Sequence, residues 1–289
     1  MSSINFDFDN LYTPDKLGHL HLFHYKNCDE NYDTCTKQFR GIIVDDITQK
    51  IVCKNLPFVP EYSCELNNLE GKIGDLDNYK IFPLYEGTII RLFNYNHQWF
   101  VSTTKRICAF MSHWGDSKRS FGELFYKAID NIIDRHVWLD SLNKSNQYIF
   151  LITPTKETRI VSNFTKIPNI YHIGTFINNR DFSTKENVLS YNNYKEIKFS
   201  NYEELIRHIK SLNPLKMKGV FLVNKHTFNF FNIVSEKYQY LFSLRGNISD
   251  INLRYLQIRK SHDKKHIFLE LYKERKDDFL KLERKIYSV

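Results

Sequence analysis

Apolar and polar positions alternate along much of the first two thirds of the chain. "HLHLFHY" (His19–Tyr25) has a period of two and predicts a strand. "RGIIVDD" (Arg40–Asp46) and "KIVCKN" (Lys50–Asn55) are β-branched runs around "DITQ", the signature of a hairpin. A second hairpin is predicted between Ile81 and Thr104, where "TIIRLF" and "WFVSTT" flank the Asn-rich turn "NYNHQ". The period then changes. Phe121, Leu124, Phe125, Ala128, Ile129 and Ile132 recur at helical spacing, and Ser117 or Ser120 can cap that helix. "YIFLITP", "TRIVSNF" and "IYHIGTF" predict three more strands. Asn201 caps a short helix whose first turn carries Glu203 and Glu204, where carboxylates suit the helix dipole. "GVFLV" and "FNFFNIV" make a last hairpin around "NKHT", and "DINLRYLQIR" and "KKHIFLELYKERKDDFLKLERKIY" are helical. Strands, helix, strands, helix, strands and a basic helical tail predict an α+β protein in which antiparallel hairpins outnumber parallel crossovers. The change of pattern near Ile248 divides a body, residues 1–247, from a C-terminal segment, residues 248–289.

Composition narrows the class. The 289 residues are 42% hydrophobic and 15% aromatic, enough to fill a core and too much for general disorder. "MSSINFDFDN" carries acids and no basic-then-apolar run, so no secretory leader is expected. No stretch approaches the roughly 18 apolar residues of a membrane span, and a soluble cytoplasmic protein is expected. The five cysteines form no C-x-x-C pair and read as reduced thiols. His19 and His21 share a strand face and could be metal ligands, but no acid or cysteine cluster completes a site, so no metal centre is expected. The formal net charge of +8 favours a polyanionic partner, although solubility alone also accounts for a basic balance. Only 10 Gly and 7 Pro stand beside 23 Phe and 18 Tyr, with Asn, Lys and Ile abundant, which points to an AT-rich gene.

Several short motifs follow one another in a telling order. They are "FRGIIVDDITQKIVCKNLPFVPEY" (Phe39–Tyr62), "LYEG" (Leu84–Gly87), "FVSTTKRI" (Phe100–Ile107), "YIFLITPTKETRIV" (Tyr148–Val161), "KGVFLV" (Lys218–Val223) and "FNIVSEKY" (Phe231–Tyr238). From about Phe39 to Tyr238 this order resembles the nucleotidyltransferase domain of ATP-dependent RNA ligases, especially the phage group and its relatives in large DNA viruses. The resemblance implies an antiparallel-sheet, ATP-grasp-like ligase core with a helical C-terminal segment. It also implies where the chemistry would sit. "LYEG" falls on the family's K-x-D-G, whose lysine attacks the α-phosphate of ATP to form a lysyl–AMP intermediate. That position is Leu84 here. The family's glutamate in the third motif falls at Leu151, its metal-assisting glutamate at Lys218, and its two phosphate-orienting lysines at Asn232 and Val234. Only Glu86, in place of the aspartate, keeps its character. Phosphoryl transfer needs cations on the phosphates and carboxylates on Mg²⁺, so the resemblance implies a degenerate site with no catalytic residues, no cofactor and no metal. Should ligase chemistry survive with ATP and Mg²⁺, Lys80 or Lys105 is the fallback nucleophile.

A lost nucleotide site leaves an RNA-facing surface. Arg40, Lys54, Arg91, Lys105, Arg106 and Arg159 stand beside the motifs, and Lys218 puts a cation where a carboxylate held metal. Arg245, Arg254 and Arg259 form a second basic group. Tyr85, Trp99, Phe100, Phe110 and Trp114 are interleaved aromatics that could stack unpaired bases, though most belong in a core. The expected function is therefore a degenerate RNA-ligase-like protein that binds RNA, such as tRNA or cleaved ends. An RNA-protection or immunity role against a ribonuclease toxin fits an AT-rich yeast linear plasmid or large DNA virus. The alternatives are an active ligase or capping-type nucleotidyltransferase, and a protein-binding adaptor.

Overall fold

The computed structural model describes residues 11–287 apart from 66, 116, 186–187 and 190–193. The opening "MSSINFDFDN" lies outside the described residues. Three sheets organise the rest. The N-terminal sheet is the antiparallel meander β1 (Leu11–Leu17), β2 (Leu20–Tyr25), β3 (Arg40–Asp45) and β4 (Lys50–Cys53), with the short helix α1 (Thr34–Gln38) between β2 and β3. A five-stranded sheet contains β7 (Thr88–Tyr95), β8 (Gln98–Thr103), β9 (Gln147–Ile152), β10 (Ile170–Ile177) and β11 (Asp181–Ser183), in the order β11-β10-β9-β7-β8. A four-stranded sheet has the order β5-β13-β12-β6, from β5 (Glu61–Ser63), β6 (Tyr79–Leu84), β12 (Gly219–Asn224) and β13 (Phe230–Val234). Every pairing is antiparallel except β5 with β13. The fold is α+β, as the hydrophobic pattern predicts.

Strand alternation sorts side chains between layers. On β9, Tyr148, Phe150 and Ile152 pack with α3 (Phe121–Asp130) and α4 (Arg135–Ser141), while Ile149 and Leu151 face the four-stranded sheet. On β6, Tyr79 and Ile81 pack with α2 (Leu69–Ile73) and α5 (Tyr202–Ser211), while Phe82 and Leu84 face back. The body is thus helix, sheet, sheet, helix, with a crevice between the sheets. The N-terminal sheet covers the β7–β8 end, where Leu22, Ile43 and Cys53 meet Phe93. Ser120 caps α3 through a capping box with Glu123, and Asn201 caps α5.

Two expectations change. "TRIVSNF" (Thr158–Phe164) forms no strand; its backbone is irregular, and its central amides bond a side chain rather than a neighbouring strand. The last predicted helical segment, from Lys264 to Tyr287, is divided between two helices. Ser235 caps α6 (Glu236–Arg245), followed by α7 (Ile251–Ile258), α8 (His262–Leu271) and α9 (Lys276–Tyr287). Leu244, Tyr255, Phe268 and Phe279 share one core, in which Tyr255 stacks on Phe279 with ring centroids 4.5 Å apart. Among the described residues, no helix is long and apolar enough to cross a membrane.

Candidate functional site

The crevice between the two central sheets holds a cavity of about 240 Å³. Leu84, Leu151, Lys218 and Asn232, four positions widely spaced in the chain, all line it. Pairing explains the convergence. Leu84 ends β6 opposite Gly219 of β12, the Leu84 carbonyl accepts from the Lys218 amide at 2.8 Å, and Asn232 of β13 pairs with Glu61 of β5. Leu151 enters from β9 across the crevice. Val234 lies just behind, fully buried against Val161 and Tyr238. Gly87 and Gly219 keep the crevice closed: a Cβ on the first would drive into the Ile152 carbonyl, and on the second into the Ile233 carbonyl.

The cavity wall is apolar and aromatic with a charged mouth. Leu56, Ile89 and Ile173 supply aliphatic surface. Tyr85 stacks on Tyr171, with centroids 4.6 Å apart, and Tyr194 on Phe82 at 5.1 Å. Burial pushes the Tyr85 and Tyr194 hydroxyls above the ordinary phenol range. Lys218 Nζ donates to Glu61 Oε2 at 2.6 Å and lies 5.6 Å from the centre of the Tyr238 ring. Arg40, also on the wall, donates to the Pro57 carbonyl at 3.3 Å. The cavity's cation at the β12 end is thus already partnered by the carboxylate beside it. Glu61 lies within the Phe39–Tyr62 motif, but only the fold brings it to Lys218, 157 positions away.

Glu86 does not serve this cavity. Its carboxylate accepts from the Ile160, Val161 and Ser162 amides at 2.6, 2.8 and 2.9 Å, and from the Tyr238 hydroxyl at 2.9 Å. Three successive N–H groups converge on one side chain, which is why residues 158–164 form no strand: their donors point at Glu86 instead of at a neighbouring strand. Burial and the adjacent Glu86 carboxylate raise the Tyr238 hydroxyl well above the phenol range. With Glu61 paired and Glu86 engaged by four donors, the cavity offers no free carboxylate pair for a magnesium nucleotide. Among the described residues, no group of three or more His, Cys, Asp and Glu is placed to hold a metal. His19 and His21 lie 3.4 and 3.2 Å from the Asp46 carboxylate. These residues do not fit ATP with Mg²⁺.

The remaining sequence-selected residues are scattered. Lys80 shares the Leu84 face of β6 but lies about 13 Å along the strand, where its Nζ donates to Thr184 Oγ1 at 3.3 Å. Lys105 and Arg106 are exposed in the turn after β8, with Arg106 3.2 Å from Asp15. Lys54 is half-buried, and burial lowers its ammonium pKa. Three arginines are interior pins. Arg91 donates to the carbonyls of Gly41 and Thr103. Arg159 donates to the carbonyls of Val161 and Leu271 and to the Glu274 carboxylate. Arg245 donates to the Ile248 carbonyl at 2.6 Å. Arg254 bonds the Leu244 and Ser243 carbonyls, and Arg259 is half-buried at the end of α7. The aromatic candidates are mostly partly buried: Tyr85 is stacked in the cavity, and Trp99 and Trp114 pack on the α3 core. Phe110 is 38% exposed.

Comparison with known proteins places this geometry. No protein-family model matches the chain. It is 31% identical over 259 residues to the "Immediate-early protein ICP-46 homolog" of Invertebrate iridescent virus 6, covering 82% of this chain and 56% of that protein. It is 22% identical over 232 residues to a provisionally named bifunctional polynucleotide kinase/RNA ligase of Autographa californica nuclear polyhedrosis virus, covering 76% of this chain and 33% of the other. The chain spans about half the length of the iridovirus relatives it matches, 56% and 53% in two of them. Among solved structures it superposes on a provisionally named ATP-dependent DNA ligase from Aquifex aeolicus with TM-score 0.57, at 11% identity and covering 97% of this chain and 72% of that one. An archaeal ATP-dependent RNA ligase gives TM-score 0.54 at 10% identity, covering 91% and 73%. The fold is that of the ATP-dependent ligase nucleotidyltransferase domain, here with C-terminal helices.

Proposed function

We propose that this chain is a ligase-fold protein that has given up nucleotidyl transfer and binds RNA. One observation carries the proposal. Four of the six motif positions line a single cavity, and there they present Leu84, Leu151, Asn232 and a Lys218 already paired with Glu61. A nucleotidyl-transfer site needs a nucleophile, free carboxylates for metal and cations for phosphate. The formal charge of +8 and the likeness to a viral polynucleotide kinase/RNA ligase support RNA as the partner. Cleaved or structured RNA, such as tRNA, is the substrate class proposed, and protection of its ends from a nuclease is the proposed role.

The test is incubation with α-³²P-ATP, and separately GTP, with Mg²⁺ or Mn²⁺, followed by denaturing electrophoresis. No labelled protein is expected from the wild type or from Leu84→Lys, because restoring the amine leaves the carboxylates and phosphate-binding lysines missing. A labelled wild-type band overturns the proposal. One observation favours a second reading: a lysine amine does line the cavity, that of Lys218. An active enzyme with a displaced nucleophile would therefore carry its label on Lys218 rather than on Lys80 or Lys105.

A further inference from the structure

Three of the ten cations chosen from sequence, Arg91, Arg159 and Arg245, are buried and the rest are scattered, yet four cations outside that set gather around one open groove. Lys118 and Arg119 precede α3, and Lys156 and Lys166 stand at the two ends of the loop after β9. All four are exposed, and they line a depression of about 540 Å³. Among the described residues no ion pair engages any of the four. The one acid on the wall, Glu157, accepts from Thr155 Oγ1 at 2.9 Å and so belongs to its own turn. Phe164, 36% exposed, adds an aromatic ring to the same wall.

The supports are fixed. Ser117 Oγ donates to the Arg119 carbonyl at 2.9 Å, shaping the turn that presents Lys118 and Arg119. Across the groove, the loop is held by the three amides on Glu86 and by the Asn163 amide on the Leu215 carbonyl at 2.7 Å. Four like charges held within one depression repel each other, and a polyanion threading it removes that repulsion while releasing its own counterions. Cations that track a backbone, together with an aromatic ring, are the elements of single-strand recognition.

We propose that this groove, between the turn before α3 and the loop after β9, binds the phosphate backbone of single-stranded RNA, with Phe164 against a base. The proposal rests on the RNA-binding reading above and gives it a location outside the sheet crevice. The test is fluorescence anisotropy with a labelled single-stranded RNA of about 12 nucleotides, titrated at several salt concentrations. The full chain is compared with Lys156→Ala/Lys166→Ala, Lys118→Ala/Arg119→Ala and Phe164→Leu. Lys195→Ala/Lys198→Ala, on the α5 side, is the matched control. Each groove pair is expected to weaken binding about tenfold at low salt and to reduce the log–log salt slope by about 1.4, or about 0.7 for each phosphate no longer neutralised. Phe164→Leu weakens binding about tenfold with the slope unchanged, and the control binds as wild type. Wild-type binding that the groove pairs leave at control level overturns the groove and leaves the RNA reading standing. Loss in the groove pairs without any effect of Phe164→Leu overturns the assigned stacking. A wild type that fails to bind RNA at low salt overturns both.

Discussion

At Glu86 a single carboxylate accepts from three consecutive amides and a tyrosine hydroxyl, all within 2.9 Å. Hydrogen bonds to a buried charged group are worth more than neutral ones, and removing the acceptor strands every donor. Glu86→Ala is therefore expected to lower unfolding free energy by about 3 kcal/mol or more, and Tyr238→Phe by about 1 kcal/mol, in urea titrations. A loss under about 1 kcal/mol for Glu86→Ala would show that the 160–162 loop is held by something else. This role was not legible in the chain, because "LYEG" marks Glu86 only by its distance from a glycine and its donors lie 74 to 152 positions away. The same blindness affects the arginines. Arg91 sits in "TIIRLF" at a place where alternation allows either a surface or an interior, and only assembly of β3, β7 and β8 supplies the carbonyls that bury it.

At the scale of elements, local pattern carried far. The hairpins at β3–β4, β7–β8 and β12–β13, the Ser120 capping box and the Asn201 cap are all written in adjacent residues. Residues 158–164 read as a strand and are not one, since a side chain outside the segment takes their donors. In the C-terminal helices, Glu283 of α9 accepts from Lys265 of α8 at 2.8 Å and from the Tyr255 hydroxyl of α7 at 2.8 Å. The Lys265 hydrogen bond is the main cause holding the Glu283 carboxyl below its ordinary value. A depressed carboxyl gives stability that is complete above the unfolded-state value and is lost as pH falls through the folded one. Thermal unfolding followed by circular dichroism should show the wild type losing this increment as pH drops below about 4.5. Glu283→Gln should be less stable than wild type at neutral pH, with the difference narrowing in acid. A constant difference from neutral to acid would show that the pair contributes nothing through its charge.

At the scale of the molecule, two sheets and their helices frame one crevice, and Leu84, Leu151, Lys218 and Asn232, spread along Phe39–Tyr238, line it together. What the motif order could not supply was the pairing of Lys218 with Glu61, which joins strands that meet only through β13. That pair would make the crevice a sieve by sign of charge. A phosphate ester entering must draw Lys218 away from a carboxylate already at 2.6 Å and then sit beside that carboxylate, whereas an uncharged molecule lying against the Leu56, Ile89 and Ile173 wall leaves the pair untouched. In thermal-shift measurements, neutral aromatic fragments should stabilise the wild type and nucleoside triphosphates should not. Glu61→Gln should reverse that preference, and triphosphates stabilising both proteins equally would rule the sieve out. The crevice would then be defined by its refusal of phosphates.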